Sequence, residues 1–455
     1  MLRFGTDGVR GDADHDLPAP FVVALGRATA RVLRPVHVLI GRDTRASGPR
    51  LAAELATGLE AEGVTPVQLG VLPTPAIAFV AARRGDPAAI VSASHNAWSD
   101  NGVKVIGADG RKLPDGAEDR IEAELEALVA DVASGPWMSG SDEVANGAAL
   151  SFDGDPEAGD AYVEHLLSTL DGRTLEGLDL VLDCAYGAGF ELGPRALRAA
   201  GARVHVLHAR PDGRNINRDC GSTHPEALQA EVVRTGAHLG LALDGDGDRV
   251  LAVDERGELV DGDQIMTMCA IDMHARGELR NDAIAVTVMS NLGLRRALRG
   301  AGIGVVETPV GDRHVVAAMQ ERDLGLGGEQ SGHIVFADFA TTGDGLLTGL
   351  RVADLVVRSG RPLSDLGAGM RRVPQVLVNV RVQSRVDVGG SVVLGAAVRE
   401  VERELGENGR VLVRGSGTEP LVRIMIEADE QEVADGAAAR LRSVVTAEFG
   451  ADGRP

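Results

Sequence analysis

Aromatic residues are scarce, 3% of a 455-residue chain. That scarcity argues against the rows of stacked rings on which single-stranded nucleic acid is held. Positive charge is in deficit as well. The formal net charge of -21 disfavours a nonspecific nucleic-acid or anionic-membrane binder, since both need a basic surface. An anionic small substrate would need arginines clustered locally. Cysteine occurs three times, at Cys184, Cys220 and Cys269. There is no CxxC and no even count for a disulfide framework, which points to a reducing, cytoplasmic setting. No apolar run approaches the roughly 20 residues of a membrane span. The opening stretch, RFGTDGVRG from Arg3, shows no charged-then-apolar leader pattern. With 44% apolar and 25% charged residues, the composition is that of an ordinary globular protein, long enough for several domains.

What is present repeats. Residues 36–70, 178–208 and 283–310 share one order: a short Val/Leu/Ile run, a polar loop, a helix-like stretch ending at glycine, and a second apolar run. Short runs that are apolar throughout mark strands buried on both faces, and glycine commonly stops a helix. The pattern predicts three related α/β units. The last part differs. Residues 375–383 predict a strand, 391–409 a helix, 409–428 two strands around a turn, and a helix follows from about Glu430. Together they make a small α+β domain. The expected domains are 1–150, 151–255, 256–366 and 367–455, with linkers near 133–150, 253–263 and 358–370.

Four loops carry chemistry. In DGDGDR, Asp244, Asp246 and Asp248 alternate with Gly245 and Gly247. On a straight strand such side chains stand about 6.6 Å apart, but glycines let the backbone curl until the carboxylates converge. All-oxygen ligation suits a hard cation, Mg²⁺ in preference to Ca²⁺. An EF-hand loop is the alternative, with Glu255 at its twelfth position. It is weakened by Arg249 at the sixth, where glycine belongs, and by strand-like flanks. In SASHN, Ser94 precedes His95. Neighbours on an extended chain point to opposite faces, so a catalytic dyad is not expected, and the G-x-S-x-G elbow is missing. GGEQSGH gathers Glu329, Ser331 and His333, a set suited to hydrogen-bonding a polyol, with His333 able to move protons near neutral pH. VRGSGTEP places Arg414, Ser416, Gly417 and Thr418 in one turn, with Arg423 downstream, the makings of a phosphate cradle. Singly, each also reads as an ordinary polar turn. Arg10, Arg42 and Arg45 read as surface charge. Jointly, one loop per unit supplies a nucleophile, a metal, a polyol grip and a phosphate grip, the equipment for phosphoryl transfer on a phosphosugar.

The stretches FGTDGVRG, SASHN…DNGVKV, LDCAYGAGF, NINRDCGSTHPEAL, DGDGDR, GGEQSGH, TTGDGLLTGL and RGSGTEP together resemble the α-D-phosphohexomutase superfamily over essentially the whole length. Within it, the chain is similar to the branch acting on glucosamine phosphates. There Gln330 is usual, where the mannose and glucose enzymes more often carry methionine. The resemblance implies three α/β domains of shared topology and a C-terminal domain of TATA-binding-protein-like fold around a central cleft. It implies that Ser94 is a phosphoserine and that Mg²⁺ is held by Ser94, Asp244, Asp246 and Asp248. Arg249 is implied at the phosphoryl oxygens, Lys104 and His333 in proton transfer, and Arg10 at the substrate or the phosphoserine. Glu329 and Ser331 would grip sugar hydroxyls, and Arg414, Ser416, Gly417, Thr418 and Arg423 the phosphate that is not reacting. Glucosamine 1,6-bisphosphate is the implied intermediate and primer. The implied partner is a small phosphosugar, with neither nucleic acid nor membrane, and a homodimer is among the possible assemblies. Two positions depart from the family pattern. Ala97 replaces the usual proline, freeing a φ that proline would fix, and Gly415 stands where lysine or proline is common. The rivals are the mannose/glucose branch, which shares the site plan, and a non-catalytic phosphosugar-binding protein. Retention of Ser94, Lys104, His333 and the three aspartates argues against the second.

Overall fold

The structure, a computed structural model, describes residues 8–132, 152–384, 386–415 and 420–450. It divides into two compact units, Met1–Met289 with Ile303–Gly369, and Ser290–Gly302 with Met370–Pro455.

The first unit is built on three sheets. Strands β1 (Val9–Asp12), β2 (His37–Arg42), β3 (Thr65–Val71), β4 (Ala88–Val91) and β5 (Asp100–Ile106) pair in the order β1-β5-β4-β2-β3. Strands β6 (Asp179–Asp183), β7 (Arg203–Leu207), β8 (Leu239–Leu243), β9 (Val250–Asp254) and β10 (Leu259–Val260) pair as β10-β9-β8-β6-β7. Strands β11 (Ala283–Thr287), β12 (Gly304–Thr308), β13 (Leu326–Gly328) and β14 (Ile334–Phe336) pair as β12-β11-β13-β14. One plan is used three times. The first strand runs parallel to the second and third, and the third turns back into an antiparallel fourth. The apolar runs that predicted these strands are buried from end to end in β4 and β8. The second sheet closes at Val260, so its last hairpin crosses position 255, the edge expected for that domain.

The repeated plan positions the chemistry. The serine loop joins β4 to β5, the aspartate loop joins β8 to β9, and the Glu329–His333 loop joins β13 to β14. All three leave the carboxyl end of the third parallel strand, the edge at which open α/β sheets present their ligand-binding loops.

The second unit carries β15 (Gln375–Arg381), β16 (Gly409–Gly415) and β17 (Leu421–Ala428), antiparallel in the order β15-β17-β16. Helices Val392–Leu405 and Gln431–Phe449 join it in a core of Val422, Ile424, Ile426, Leu441 and Val445. It is the expected α+β fold. The third repeat keeps the expected order of strand, helix and strand, with one feature of its own. Its helix, Leu292–Gly300, groups with this unit and not with the strands that flank it in sequence. The Asn291 side chain explains why. It donates to the Val373 carbonyl (2.9 Å) and to Glu427 (3.0 Å), and it accepts the Val373 N–H (2.9 Å). No described helix is long and apolar enough to cross a membrane.

In the first unit, helix Ala19–Leu33 lies against helix Gly48–Ala61 at a pair of glycines. A Cβ on Gly58 would stand 2.1 Å from the Val23 carbonyl oxygen, and one on Gly26 would stand 2.4 Å from that of Leu55. Alanine is the better helix former by about 1 kcal/mol, yet here overpacking against backbone costs about 1–3 kcal/mol and decides the sign. Gly58→Ala is expected to lower stability. Gly436→Ala, at an exposed helix position where a Cβ meets nothing within 4 Å, is expected to raise it. Denaturant unfolding of the two variants against the parent checks both signs.

Candidate active site

Ser94 adopts φ +49°, a left-handed conformation unusual for a residue with a side chain. The kink folds the loop so that Ser94 Oγ lies 3.4 Å from His95 Nδ1. The expectation that these neighbours face opposite ways therefore fails, because it assumed an extended chain. The close contact still does not make a base of His95 in a dyad. Burial, then the Arg249 and Arg10 charges, lowers its pKa, and the serine hydroxyl donates elsewhere, to Asp244 Oδ2 at 2.6 Å.

Arg45 holds this loop. Its side chain is fully buried, which corrects its reading as surface charge. Nη2 donates to the carbonyls of Ser94 and Asn96 at 2.9 Å, Nη1 to those of Asp100 (2.9 Å) and Ala97, and Nε to Asp43 Oδ2 (2.9 Å). Asp43 also accepts from the Ser92 hydroxyl (2.6 Å), which in turn accepts the Ser94 N–H (2.9 Å). From the second sheet's side, the Asn217 amide donates to the same Ser94 and Asn96 carbonyls at 2.8 and 3.0 Å. The freedom left by Ala97 is thus taken up by a guanidinium and an amide. Arg42 is also buried, and its Nη1 donates to the Asp43 carbonyl at 3.3 Å.

Asp244, Asp246 and Asp248 lie almost wholly buried in the β8–β9 turn, with one carboxylate oxygen of each within 4.8 Å of the others. Burial, then the Asp248 and Asp246 charges, raises the Asp244 pKa well above the carboxylate range. Burial pushes Asp248 the same way, but His333, Lys104 and Arg249 prevail and hold it ionised. Thr74 donates to Asp246 Oδ2 (2.7 Å), and Lys104 Nζ stands 3.5 Å from that oxygen and 3.9 Å from Asp248 Oδ2. The other oxygens, Asp246 Oδ1 and Asp248 Oδ1, are buried with no hydrogen-bond partner among the described residues. Buried polar atoms are normally satisfied. These two, on a cluster of three carboxylates, fit a hard divalent cation. The EF-hand alternative falls. The flanks are strands, and Glu255 accepts from the Ser364 N–H (3.2 Å) and hydroxyl, away from the aspartates.

Above the aspartates lies a pocket of about 230 Å³. Its wall brings together Arg10 of β1, Ser94, Lys104 of β5, Arg249, Glu329 and His333. Ser331 belongs to the same loop as Glu329 but not to the pocket wall. Its buried Oγ has no hydrogen-bond partner among the described residues. Gln330 turns away as well, donating to Asp261 Oδ2 at 3.2 Å, so it shapes the loop instead of meeting a ligand. His333 has Nδ1 3.5 Å from Asp248 Oδ2 and Nε2 3.6 Å from Asp312 Oδ2. Burial disfavours its charge, yet the two carboxylates hold its pKa up at about 9. The Gly343 N–H, 3.1 Å from Nε2, favours the neutral ring. The proton on His333 is therefore contested between these neighbours.

Asp312 and Lys112 escaped the sequence reading. Lys112 donates to Asp312 Oδ1 at 2.6 Å, behind His333. A signal existed: Lys104 and Lys112 are the only two lysines in the chain, and both line one larger cavity that adjoins this pocket. In the second unit, Arg414 and Arg423 stand directly opposite each other on β16 and β17. Burial and then the Arg423 charge lower the pKa of Arg414. Like charges so placed repel and suit a shared anion. Ser416, Gly417 and Thr418, expected beside them, lie outside the described residues.

Domain descriptions of phosphoglucomutase/phosphomannomutase match four successive stretches. Alpha/beta/alpha domain I matches residues 1–130, domain II 160–257, domain III 261–373, and the C-terminal domain 377–444. The chain is 49% identical over 454 residues to a phosphoglucosamine mutase of Symbiobacterium thermophilum, covering 98% of this chain and 99% of that one. The chain belongs to the phosphoglucomutase/phosphomannomutase family. A phosphoglucosamine mutase of Frankia alni is 50% identical over 458 residues, with 98% of each chain covered. Among solved structures, a phosphoglucomutase/phosphomannomutase family protein from Burkholderia thailandensis superposes with a TM-score of 0.77 at 26% identity, covering 97% of both chains. The N-acetylphosphoglucosamine mutase of Aspergillus fumigatus, solved with GlcNAc-6P and magnesium, shares the fold at a TM-score of 0.69 and 19% identity, covering 98% of this chain and 95% of that one. As a member of this phosphohexomutase family the chain is an isomerase.

The Asn217 clasp is open to a direct test in the phosphoglucomutase/phosphomannomutase reaction. Asn217→Gly keeps the left-handed backbone, φ +58°, and removes only the amide. A displacement of about 1 Å in a reacting group costs up to about 10²-fold, so kcat is expected to fall by about 10–100-fold with KM little changed. Steady-state kinetics on a hexose phosphate measure it, and an unchanged kcat would leave Arg45 as sufficient support.

Proposed function

We propose that this chain interconverts glucosamine 6-phosphate and glucosamine 1-phosphate through a phosphorylated Ser94 and a glucosamine 1,6-bisphosphate intermediate. The reaction would feed UDP-N-acetylglucosamine synthesis in the cytoplasm. The observation that carries the reading is the Ser94 hydroxyl at 2.6 Å from one of three clustered, buried aspartates, at the edge of a pocket with basic walls. The identity to phosphoglucosamine mutases over nearly the whole chain supports the choice of sugar.

A phosphoserine carries about −1.5 to −2 charge at neutral pH, which three bare carboxylates would repel. A Mg²⁺ held by Asp244, Asp246, Asp248 and the Ser94 oxygen would supply the charge neutralisation that phosphoryl transfer needs. The chain's own groups do the rest. Arg249, 3.7 Å from Asp248, and Arg10 reach toward the phosphoryl oxygens. Lys104, nearly buried beside Asp246 and Asp248, adds positive charge where negative charge develops. Proton transfer at the sugar oxygen is assigned to His333 or Lys104, the two groups beside the aspartates able to give and take a proton. Glu329 accepts hydrogen bonds from sugar hydroxyls, and Ser331 sets the shape of its loop. Arg414 and Arg423, with Ser416, Gly417 and Thr418, are assigned to the phosphate that is not reacting. The bisphosphate turns round between the half-reactions, so the same groups serve both ends of the sugar. The chain then divides into four domains, with edges near 150, 260 and 369.

Ser94→Ala is expected to abolish turnover while the protein keeps its fold, since one loop hydroxyl contributes little to the core. Intact mass before and after phosphatase, with peptide mapping, locates the phosphoryl group. A phosphate found on Ser92 or Ser99 would remove Ser94 from its role.

The sugar is decided by kinetics on the glucosamine, glucose and mannose phosphates side by side. kcat/KM is expected to be highest for the glucosamine pair. Gln330 points away from the pocket, so Gln330→Met is expected to leave that preference in place, the choice resting with groups on the wall. A preference for mannose 6-phosphate would keep the chemistry and move the chain to the mannose/glucose branch.

A further inference from the structure

Beneath the clasp on the serine loop lies a second cluster of chemically able side chains that the proposed reaction does not use. Asp183 ends β6, His208 follows β7, and Cys220 stands three residues after Asn217. A carboxylate oxygen, Nδ1 and Sγ from these residues lie within 4.8 Å of one another. Asp183 and Cys220 are fully buried, and the His208 side chain is 20% exposed. The Asp183 oxygens are fixed from behind by backbone donors, Ala185 N–H on Oδ1 and Gly221 N–H on Oδ2, both at 2.9 Å. Outer groups hold a ligating carboxylate in this way. His208 Nδ1 is buried and pairs with Asp183 Oδ1 at 3.0 Å, a contact that a shared cation would take over.

The backbone around the cluster is strained. Ala185, Tyr186, His208, Asn217 and Asp219 all have φ between +50° and +58°. Such conformations persist only where the surroundings over-determine them.

We infer that Asp183, His208 and Cys220 form a binding site for a zinc-class divalent ion, separate from the aspartate site. One sulfur, one imidazole nitrogen and one carboxylate oxygen are the donor set of zinc, not of magnesium. Bonds of about 2.0–2.3 Å place tetrahedral donors roughly 3–4 Å apart, so side-chain rotation closes the cluster, with water as fourth ligand. Binding converts the Cys220 thiol to thiolate, and its proton leaves to solvent. No oxidation or reduction is involved. The ion would tie the ends of β6 and β7 to the segment that carries Asn217, and so brace the clasp on Ser94.

Cobalt(II) titrated into the full-length protein, with magnesium saturating the aspartate site, tests this. The expected result is one equivalent of cobalt with a thiolate-to-cobalt charge-transfer band in the near ultraviolet and tetrahedral bands in the visible. The aspartate site holds no sulfur and cannot give the first. Cys220→Ser is expected to lose that band, and Cys184→Ser to keep it. His208→Asn, which tolerates the left-handed backbone, is expected to bind at least about tenfold more weakly. Zinc is expected to displace the cobalt and to raise the melting temperature of the parent but not of Cys220→Ser. A cobalt spectrum without the charge-transfer band in the parent protein overturns the site, whatever the variants do.

Discussion

The Arg45 guanidinium gathers the carbonyls of Ser94, Asn96, Ala97 and Asp100 while its own charge is balanced by Asp43. A buried ion pair of this kind contributes little net stability, because desolvation offsets the attraction. Its value is positional. A loop with alanine where proline is usual has backbone freedom to lose, and its carbonyls lie in a buried region where they need donors. One planar group with five N–H donors satisfies them together and fixes their relative directions. The left-handed Ser94 follows from that clamp, and from Ser94 follows the contact with Asp244.

The site beyond that contact is a balance of buried charge. Three carboxylates so close cannot all ionise unaided, and the opposite directions of the Asp244 and Asp248 shifts show where help is available. Asp248 has Lys104, Arg249 and His333 about it, while Asp244 is left chiefly with its neighbours' negative charge. The balance extends outward through His333 to Asp312 and then to Lys112. In surroundings poor in water each of these charges is felt strongly by the next. A cation among the aspartates would relieve the repulsion and satisfy the two orphaned oxygens together.

Much of this was legible in the sequence because it is local. Strand runs apolar throughout gave the three sheets, and the alternation of aspartate with glycine gave the curled turn. Fully non-local facts were not legible. GRDTR reads as surface charge until the fold buries Arg45, since nothing in five residues says that the carbonyls of another loop will close over them. The helix after Asn291 follows its strand in the expected order, but nothing local says that its capping asparagine bonds to Val373 and Glu427, far along the chain. In the sequence Gln330 marks only a branch of the family, and nothing local says that its amide serves Asp261, the residue that caps helix Gly262–Ala275. The serine and histidine were judged as an extended pair, and one left-handed residue undid that geometry.

The three hairpin loops show how one plan yields unlike chemistries. Each leaves the third parallel strand of its own sheet at the same edge, so the fold fixes where a loop starts and leaves its content free. In the first sheet the loop presents a hydroxyl, in the second three carboxylates, and in the third a glutamate and a histidine. A pocket needs these groups within a few ångströms, and no one of the three loops carries them all. Dividing them among three sheets lets each loop have its own braces: Arg45, Asp43 and Asn217 for the first, the β8–β9 turn for the second, the Gln330–Asp261 bond for the third. The groups meet at their tips, among them at the Ser94–Asp244 hydrogen bond, the Lys104–Asp246 pair and the Asp248–His333 pair. A displacement of any one sheet would therefore separate the reacting groups without unfolding any loop, and the rigidity of the first unit becomes part of the catalytic apparatus.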